Sequence, residues 1–297
     1  MMKNFYKFKN VFKCVHEVHR HFNFQMSPFH ILKEKKCFPQ GCMTFLWKCR
    51  LLAKQKKCFR NFTTVGKECF NCKYFYEEKL HQYPELLLNK QDGKLFFENF
   101  LEFEVWIENL KRKRILCEGK VSQVSPEFII EEKQNNNRLK LKGFLILFRE
   151  GYIDNQLFED DFYLSISAKT QNQLKFRKDD EVEFLAQIQI DRGRIKFFKS
   201  GKFEFFERGK SQPPTHNQSL VNAETYTIIK SQPQNCRACV FGKITDVLTT
   251  KPGPKRFILC SQGIIDWKQC MAFQSDGTIK SVCMIQSINR PDSRHIL

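Results

Sequence analysis

Cysteine is the residue type whose spacing in this chain most directly suggests chemistry. Six of the 13 cysteines in the 297-residue sequence lie between residues 37 and 72. Deprotonated thiols bind Zn²⁺ or iron, and a C-x-x-C turn supplies two such ligands from one short loop. The segment KECFNCKYF therefore predicts a metal site built on Cys69 and Cys72. Two further ligands are expected from the other cysteines of this region, with Cys42 and Cys49 favoured over Cys37 and Cys58.

A second group of cysteines lies in the C-terminal part of the sequence. It consists of Cys236, Cys239, Cys260 and Cys270, and the first two again form a C-x-x-C pair. The 20-residue gap after this pair suits a four-cysteine site, but nine residues separate the last two cysteines, unlike the second C-x-x-C of a zinc ribbon. Irregular spacing of this kind also suits iron–sulfur proteins. We predict a second metal site here, with zinc favoured and an iron–sulfur cluster as the alternative cofactor.

Several familiar catalytic patterns are missing from the sequence. A redox-active C-x-x-C is expected beside a βαβ pattern, which does not surround Cys69 and Cys72. The segment CVHEVHRHF contains H-E-x-H instead of the H-E-x-x-H of zinc proteases, so we interpret His16, His19 and His21 as incidental. The sequence contains no P-loop, dinucleotide fingerprint or serine nucleophile elbow. It therefore predicts no catalytic residue and favours a binding protein over an enzyme.

Positive charge is concentrated in the same region as the first cysteine group. The formal net charge is +18; residues 1–80 hold 17 Lys or Arg against 5 Asp or Glu, whereas residues 81–210 hold 23 against 22. Such a local excess indicates a surface that faces a polyanion, most simply nucleic acid. Basic side chains would contact phosphates, and aromatic rings beside them would stack on bases. The residues predicted for this role are Lys54, Lys56, Lys57, Arg60, Lys67, Lys73 and Tyr74.

The middle of the chain has the alternation of apolar and polar residues that is typical of β-strands. An amphipathic helix at 93–110 precedes five or six short strands, and the last two of these are joined by the tight turn DRGR at 191–194. The pattern resembles an OB-fold, a small barrel that binds single strands on an open face, and another small barrel or a sandwich is the alternative. Arg192 and Arg194, at the turn, are candidates for contacts to nucleic acid.

Composition divides the chain into four segments. We predict a basic, cysteine-rich metal-binding module at 1–92, a helix plus OB-like barrel at 93–210, a linker rich in Pro, Asn, Gln and Ser at 211–224, and a four-cysteine metal-binding module at 225–297. The expected fold class is mainly β with a small α content. In this fold a central OB-like small β-barrel is flanked by two small cysteine-rich metal-binding modules.

These features together predict a cytoplasmic, metal-stabilised protein that binds nucleic acid, with single-stranded DNA or RNA favoured. The sequence has no secretory signal at its start and no run of about 20 apolar residues, so no membrane partner is expected. In a reducing compartment the cysteines are thiols that are better suited to metal ligation than to disulfides. Two other functions are alternatives: an iron–sulfur protein in electron transfer or nucleic-acid processing, and a scaffold whose cysteine modules recruit a larger complex.

Overall fold

The chain forms two compact units in the computed structural model. The first unit is Phe5–Val105, and the second combines Met1–Asn4 with Trp106–Leu297. The protein is mainly β, and one large mixed sheet closes into a ring over part of its width. The structure describes residues 1–16, 19, 24–133, 136–217, 219, 226–229, 236, 242–248, 255–265 and 270.

Short strands and turns make up most of the first unit. In chain order they are a 3₁₀ turn (Phe5–Lys7), β1 (Phe12–Lys13), β2 (Gln25–Met26), a π-helical turn (Phe29–Glu34), β3 (Cys42–Cys49), α1 (Arg50–Ala53), a 3₁₀ turn (Lys67–Cys69), β4 (Phe75–Gln82), β5 (Glu85–Leu86) and the start of α2 (Lys90–Leu110). Strand β1 lies between β2 and β5 in an antiparallel sheet, and β3 pairs with β4 as a separate antiparallel ribbon. The ribbon fixes the positions of the cysteines at its ends.

Helix α2 contributes much of the aromatic core of the first unit. Asn89 caps the helix, because its side-chain oxygen accepts a backbone N–H of the first turn at 2.9 Å. Phe96 and Phe103 lie on the apolar face and are buried, and the ring of Tyr6 meets Phe103 edge-on at a centroid distance of 4.9 Å. The predicted amphipathic helix is therefore confirmed, and it begins slightly earlier, at Lys90. No helix in the described ranges is both long and apolar enough to cross a bilayer.

The second unit is built on a nine-stranded sheet. Its elements are β6 (Ile115–Lys133), β7 (Asn136–Ile153), β8 (Gln156–Phe158), β9 (Phe162–Ile166), α3 (Ala168–Leu174), β10 (Glu181–Asp191), β11 (Arg194–Glu207), β12 (Thr227–Ile228), β13 (Gly242–Leu248) and β14 (Lys255–Cys260). The strand order is β12-β14-β13-β6-β10-β11-β9-β7-β8, and β6 also pairs with β7. This additional pairing closes five strands into a ring, in the order β6-β7-β9-β11-β10.

The ring combines antiparallel pairs with one parallel pair. Strands β9 and β11 run parallel, with Phe162 opposite Ile195, and the other four pairs of the ring are antiparallel. Helix α3 connects β9 to β10, and the hydroxyl of Ser167 caps it by accepting the N–H of Thr170 at 3.0 Å. The parallel pair places outward side chains of β9 beside those at the start of β11.

Alternating large apolar side chains fill the interior of the ring. Val182, Phe184 and Ala186 of β10 are fully buried, as the alternation of the sequence predicts. The rings of Phe148 and Phe162 stack at a centroid distance of 4.8 Å inside the same core. Each fully buried side chain of this size contributes about 1.5–3 kcal/mol through the hydrophobic effect, so the core anchors the polar side chains that point outward from the same strands.

A glycine permits the close approach of two strands in the ring. Gly143 of β7 lies opposite Glu127, at a register irregularity between Glu127 and Phe128 of β6. A Cβ atom at position 143 would stand 2.1 Å from the carbonyl oxygen of Ile166 in β9. Because no side chain fits in that space, the glycine allows β7 to bend against the end of β9.

The described strands of the C-terminal block belong to the same sheet as the ring. Strand β13 runs parallel to β6, and β14 and β12 continue the sheet beyond it. Phe128 and Leu259 form a buried cluster with Tyr226, whose ring meets Phe128 edge-on at 5.2 Å. The described part of the predicted C-terminal module therefore continues the sheet of the ring through the pairing of β13 with β6.

We predict that a protease cut in the linker at 211–224 leaves the two fragments associated. The backbone pairing of β13 with β6 and the cluster around Phe128 hold the C-terminal strands after the chain is broken. Limited proteolysis followed by size-exclusion chromatography should give one peak in native buffer and two peaks in denaturant. Elution of the C-terminal fragment alone in native buffer would show instead that residues 225–297 form an independent module.

Candidate nucleic-acid interface

The loop between α1 and β4 carries most of the basic residues that the sequence predicts to bind nucleic acid. Its base is closed because the N–H of Arg50 donates to the carbonyl of Tyr74 at 2.8 Å. In the middle of the loop the Arg60 guanidinium donates to the carbonyl of Glu68 at 3.1 Å. These two bonds fold residues 54–74 back on themselves and bring their basic and aromatic side chains together.

Four side chains of this loop form a continuous series in which charges and aromatic rings lie next to one another. The guanidinium carbon of Arg60 lies 5.4 Å from the ring centroid of Phe59, and the Phe59 ring lies 6.3 Å from that of Tyr74. The ammonium of Lys73 lies 5.1 Å from the Tyr74 ring. Phe59 is 63% exposed, so the series is open to a ligand. We call these four residues, Phe59, Arg60, Lys73 and Tyr74, the cation–aromatic row.

A cleft on the same loop adds further cationic side chains. It encloses about 460 Å³ and is lined by Lys56 and Lys57 together with Asn61 and Phe62. Lysine ammonium groups, an amide and an aromatic ring can contact phosphate, base edges and base faces respectively. The cleft therefore offers each kind of contact that a nucleotide requires.

The cations of this loop are not neutralised by neighbouring carboxylates. Within the part of the chain that the structure describes, no Asp or Glu lies within 4.0 Å of the charged nitrogens of Lys54, Lys56, Lys57, Arg60, Lys67 or Lys73. These side chains are exposed. By contrast, Lys48 on the ribbon pairs with Glu78. The loop therefore keeps its positive charge available for an anionic partner.

The barrel presents a second, smaller group of polar side chains around Tyr163. Arg194 donates to Asp191 at 2.5 Å across the β10–β11 turn, and its guanidinium carbon lies 5.3 Å from the Tyr163 ring. Arg192 and Gly193 form the tip of the turn, with φ values of 51° and 82°. The parallel pairing of β9 with β11 is what brings Tyr163 and Arg194 together.

A largely buried carboxylate, that of Glu127, joins four strands of the ring. Glu127 of β6 accepts from Lys196 of β11 at 2.6 Å, from Lys142 of β7 at 3.2 Å and from Ser165 of β9 at 2.7 Å. Burial alone raises the pKa of the Glu127 carboxyl, but the two lysines and the Ser165 hydrogen bond outweigh it, so the pKa lies below its usual value of 4.5. Most of the charge on this face is therefore internally paired.

The structure shows where the predicted basic residues lie and which side chains they contact. The structure brings together Lys56, Lys57, Arg60, Lys73 and Tyr74 on one loop, as the charge pattern suggested. On the barrel it places Arg194 against a tyrosine that the sequence analysis did not select. Alternation in the segment FYLSI marks Tyr163 as outward-facing, but nothing local in the sequence indicates Arg194 as its neighbour.

The β3–β4 ribbon separates two of the cysteines that the sequence prediction combined in one metal site. Cys42 pairs with Gln82 at one end of the ribbon, and Cys49 pairs with Phe75 at the other. Seven residues of strand at about 3.3 Å each separate them by about 23 Å. Because ligands of one ion lie within a few ångströms of each other, Cys42 and Cys49 cannot bind the same metal.

The remaining cysteines of the first unit divide between the two ends of the ribbon. At the Cys49 end, the N–H of Phe75 donates to the carbonyl of Cys72 and the N–H of Cys72 donates to that of Cys69, both at 2.9 Å. Cys58 accepts a hydrogen bond on its sulfur from a backbone N–H at 3.4 Å. At the other end, burial raises the pKa of Cys37, with smaller contributions from the nearby thiols of Cys42 and Cys14.

No cysteine-based metal centre is assembled among the residues that the structure describes. Nowhere in those ranges do three Cys, His, Asp or Glu side chains converge to hold an ion. In the second unit, Cys236 and Cys260 pack in one buried cluster with Ile229 and Ile258. Cys270 is half-buried, and Cys239 lies outside the described residues. The two flanking metal-binding modules of the expected fold are therefore not shown.

We predict that Glu127→Gln destabilises the barrel by about 3 kcal/mol at pH 7, because Lys196 and Lys142 lose their buried counter-charge. The folded-state pKa of Glu127 is lowered, so its stabilisation is fully present above the unfolded-state value and is lost as the pH falls through the folded value. Urea unfolding from pH 7 to pH 3 should show the difference between wild type and variant shrinking below pH 4.5. An equal difference at every pH would contradict this assignment.

The chain matches no protein-family model, no curated protein and no solved structure, so its function is inferred from the geometry of these two surfaces.

Proposed function

We propose that this protein binds single-stranded nucleic acid, DNA or RNA, through the basic loop of its first unit. The observation that carries the proposal is the cation–aromatic row, in which Arg60 lies against the exposed ring of Phe59 and Lys73 against the half-buried ring of Tyr74. A single strand offers both charged phosphates and unpaired base faces, and this row has a partner for each. The unneutralised lysines around the row extend the surface for the phosphate backbone.

Physical reasons favour a single strand over a duplex. Aromatic side chains stack only on bases that are not already stacked within a helix, and each such contact contributes about 1–3 kcal/mol. Phe59 and Tyr74 are positioned for this role, since Phe59 is exposed and a cation lies beside each ring. A duplex would leave these rings without bases and would use the lysines alone.

We further propose that the ring of the second unit is an OB-fold barrel. Its closure in the order β6-β7-β9-β11-β10, its parallel β9–β11 pair and its helix α3 between the third and fourth ring strands support this assignment. Barrels of this type bind oligonucleotides over their second and third strands and the loop between the fourth and fifth. In this chain Tyr163 and the Arg192–Arg194 turn occupy that position, so the barrel is the second contact surface.

The two surfaces should contribute in different ways. On the barrel, Arg194 is paired with Asp191, and both Lys142 and Lys196 share Glu127. Internally paired charges add little long-range attraction, so the barrel should act through stacking and shape. The loop of the first unit, with its unneutralised cations, should supply most of the salt-dependent affinity.

A protein partner is the second candidate function, and one observation favours it. Met43, Phe45 and Trp47 on one face of β3 are each 40–48% exposed. Apolar side chains grouped in this way are typical of surfaces that recruit other proteins. A scaffold of this kind would retain its partner at high salt, whereas the proposed nucleic-acid complex would dissociate.

The first prediction for this function concerns salt. Replacing Lys54, Lys56, Lys57 and Arg60 by Gln should reduce the slope of log affinity against log salt by about 0.7 for each phosphate that these side chains no longer neutralise. Fluorescence anisotropy with labelled oligonucleotides over a salt series measures this slope. Arg192→Gln with Arg194→Gln is the matched control and should change the slope less. A four-charge variant that keeps the wild-type slope would show that this loop is not the interface.

The second prediction concerns a cysteine-held metal, which we propose with zinc favoured and an iron–sulfur cluster as the alternative. We place such a site at the end of the ribbon that carries Cys49, Cys69 and Cys72, because the register sets Cys42 at the opposite end. Metal analysis of the purified protein should then show metal that Cys69→Ser removes and that the matched control Cys42→Ser retains. A folded wild-type protein without metal would refute the site, and a brown protein would indicate iron–sulfur instead of zinc.

A further inference from the structure

Two histidines that are distant in sequence meet in the first unit. His30 belongs to the π-helical turn Phe29–Glu34, and His19 lies between β1 and β2. Their Nε2 atoms are 3.2 Å apart, and the two rings are nearly perpendicular, with centroids 5.0 Å apart. Both rings therefore direct the same nitrogen at a common point.

A carboxylate fixes the proton on His30. Glu34 Oε2 lies 2.6 Å from Nδ1 of His30, and because a carboxylate only accepts, Nδ1 must be the donor. In the neutral ring this leaves Nε2 with a lone pair directed at His19. A carboxylate on the far nitrogen is the usual second-shell arrangement of a metal-binding histidine, since it orients the ring and raises its basicity.

His19 has no satisfactory proton arrangement of its own. The side chain is 7% exposed, and its Nδ1 has no hydrogen-bond partner among the described residues. A neutral ring carries one proton. If the proton is on Nδ1, two lone pairs face each other at 3.2 Å; if it is on Nε2, a buried acceptor is left unpaired.

We propose that His19 and His30 bind one divalent transition-metal ion of the zinc class through their Nε2 atoms. A cation between the two nitrogens leaves Nδ1 of each ring protonated and pairs both lone pairs. Zinc–nitrogen bonds of about 2.0–2.1 Å in tetrahedral geometry place two ligand nitrogens about 3.3 Å apart, and the two Nε2 atoms are 3.2 Å apart.

The site has two protein ligands within the described ranges. Among the described residues, no third Cys, His, Asp or Glu completes a set that could hold an ion. The ligands of this site are imidazoles, which bind Zn²⁺, Ni²⁺ and Cu²⁺. The site shares no ligand with the two predicted cysteine sites. The ion would cross-link the segment after β1 to the π-helical turn, independently of nucleic-acid binding.

Zinc uptake by the full-length protein tests the proposal. Chelator-treated wild type, a His19→Gln/His30→Gln variant and a His81→Gln control are dialysed against Zn²⁺, and bound zinc is counted by mass spectrometry. The double variant should bind one equivalent less than wild type, while the control, which changes an exposed histidine of β4, should bind as much as wild type. Equal zinc binding by all three proteins would overturn the proposal.

A second variant keeps the test decisive if the double variant does not fold. Glu34→Gln retains both ligands but weakens the hydrogen bond that orients His30. The dissociation constant for zinc at the His19–His30 site should therefore rise about 10–100-fold. Titration with Co²⁺ separates the sites, because thiolate ligands give intense near-ultraviolet charge-transfer bands and imidazole ligands do not. A Glu34→Gln protein with unchanged affinity for every bound ion would mean that a proton, not a metal, lies between the two rings.

Discussion

Closure of the ring at β6 is the constraint on which the second unit depends. This strand pairs with β7 on one edge, with β10 on the other, and with β13 toward its C-terminal end. A strand that pairs with three neighbours must curve. The register irregularities between β6 and β7, together with Gly143, provide this curvature. Loss of this closure would open the aromatic core and would separate Glu127 from Lys142 and Lys196.

Lysines are paired with a carboxylate around Glu127 but not in the loop between α1 and β4, and the difference in their burial explains why. On the barrel, side chains such as Lys196 are nearly buried, so each needs a carboxylate nearby to offset the cost of desolvation. In the loop between α1 and β4 the lysines are exposed, and water stabilises them without a counter-charge. Among the described residues, the loop therefore groups exposed cations that have no carboxylate within 4.0 Å, which is why we propose that it supplies the salt-dependent part of binding.

Aromatic residues have two roles in this chain that the composition does not distinguish. Phe148, Phe162 and Phe184 fill the ring and contribute stability through burial. Phe59 is as apolar as these residues but remains exposed because its loop follows the four-residue helix α1 and has no sheet to cover it. Because the Phe59 ring is exposed beside Arg60, it is accessible to an unpaired base, which is why we propose a binding role for it.

The sequence by itself determined the features that depend on near neighbours along the chain. Helix α2, the alternation of β10, the turn before Arg194 and the basic loop all follow from periodicity, turn chemistry and local charge, which act over a few residues. Tertiary structure alone decided the long-range pairings: the β3–β4 register that separates Cys42 from Cys49, the parallel pair that sets Arg194 on Tyr163, and the meeting of His19 with His30. These contacts depend on how the whole chain buries its apolar surface, and no local pattern records that outcome.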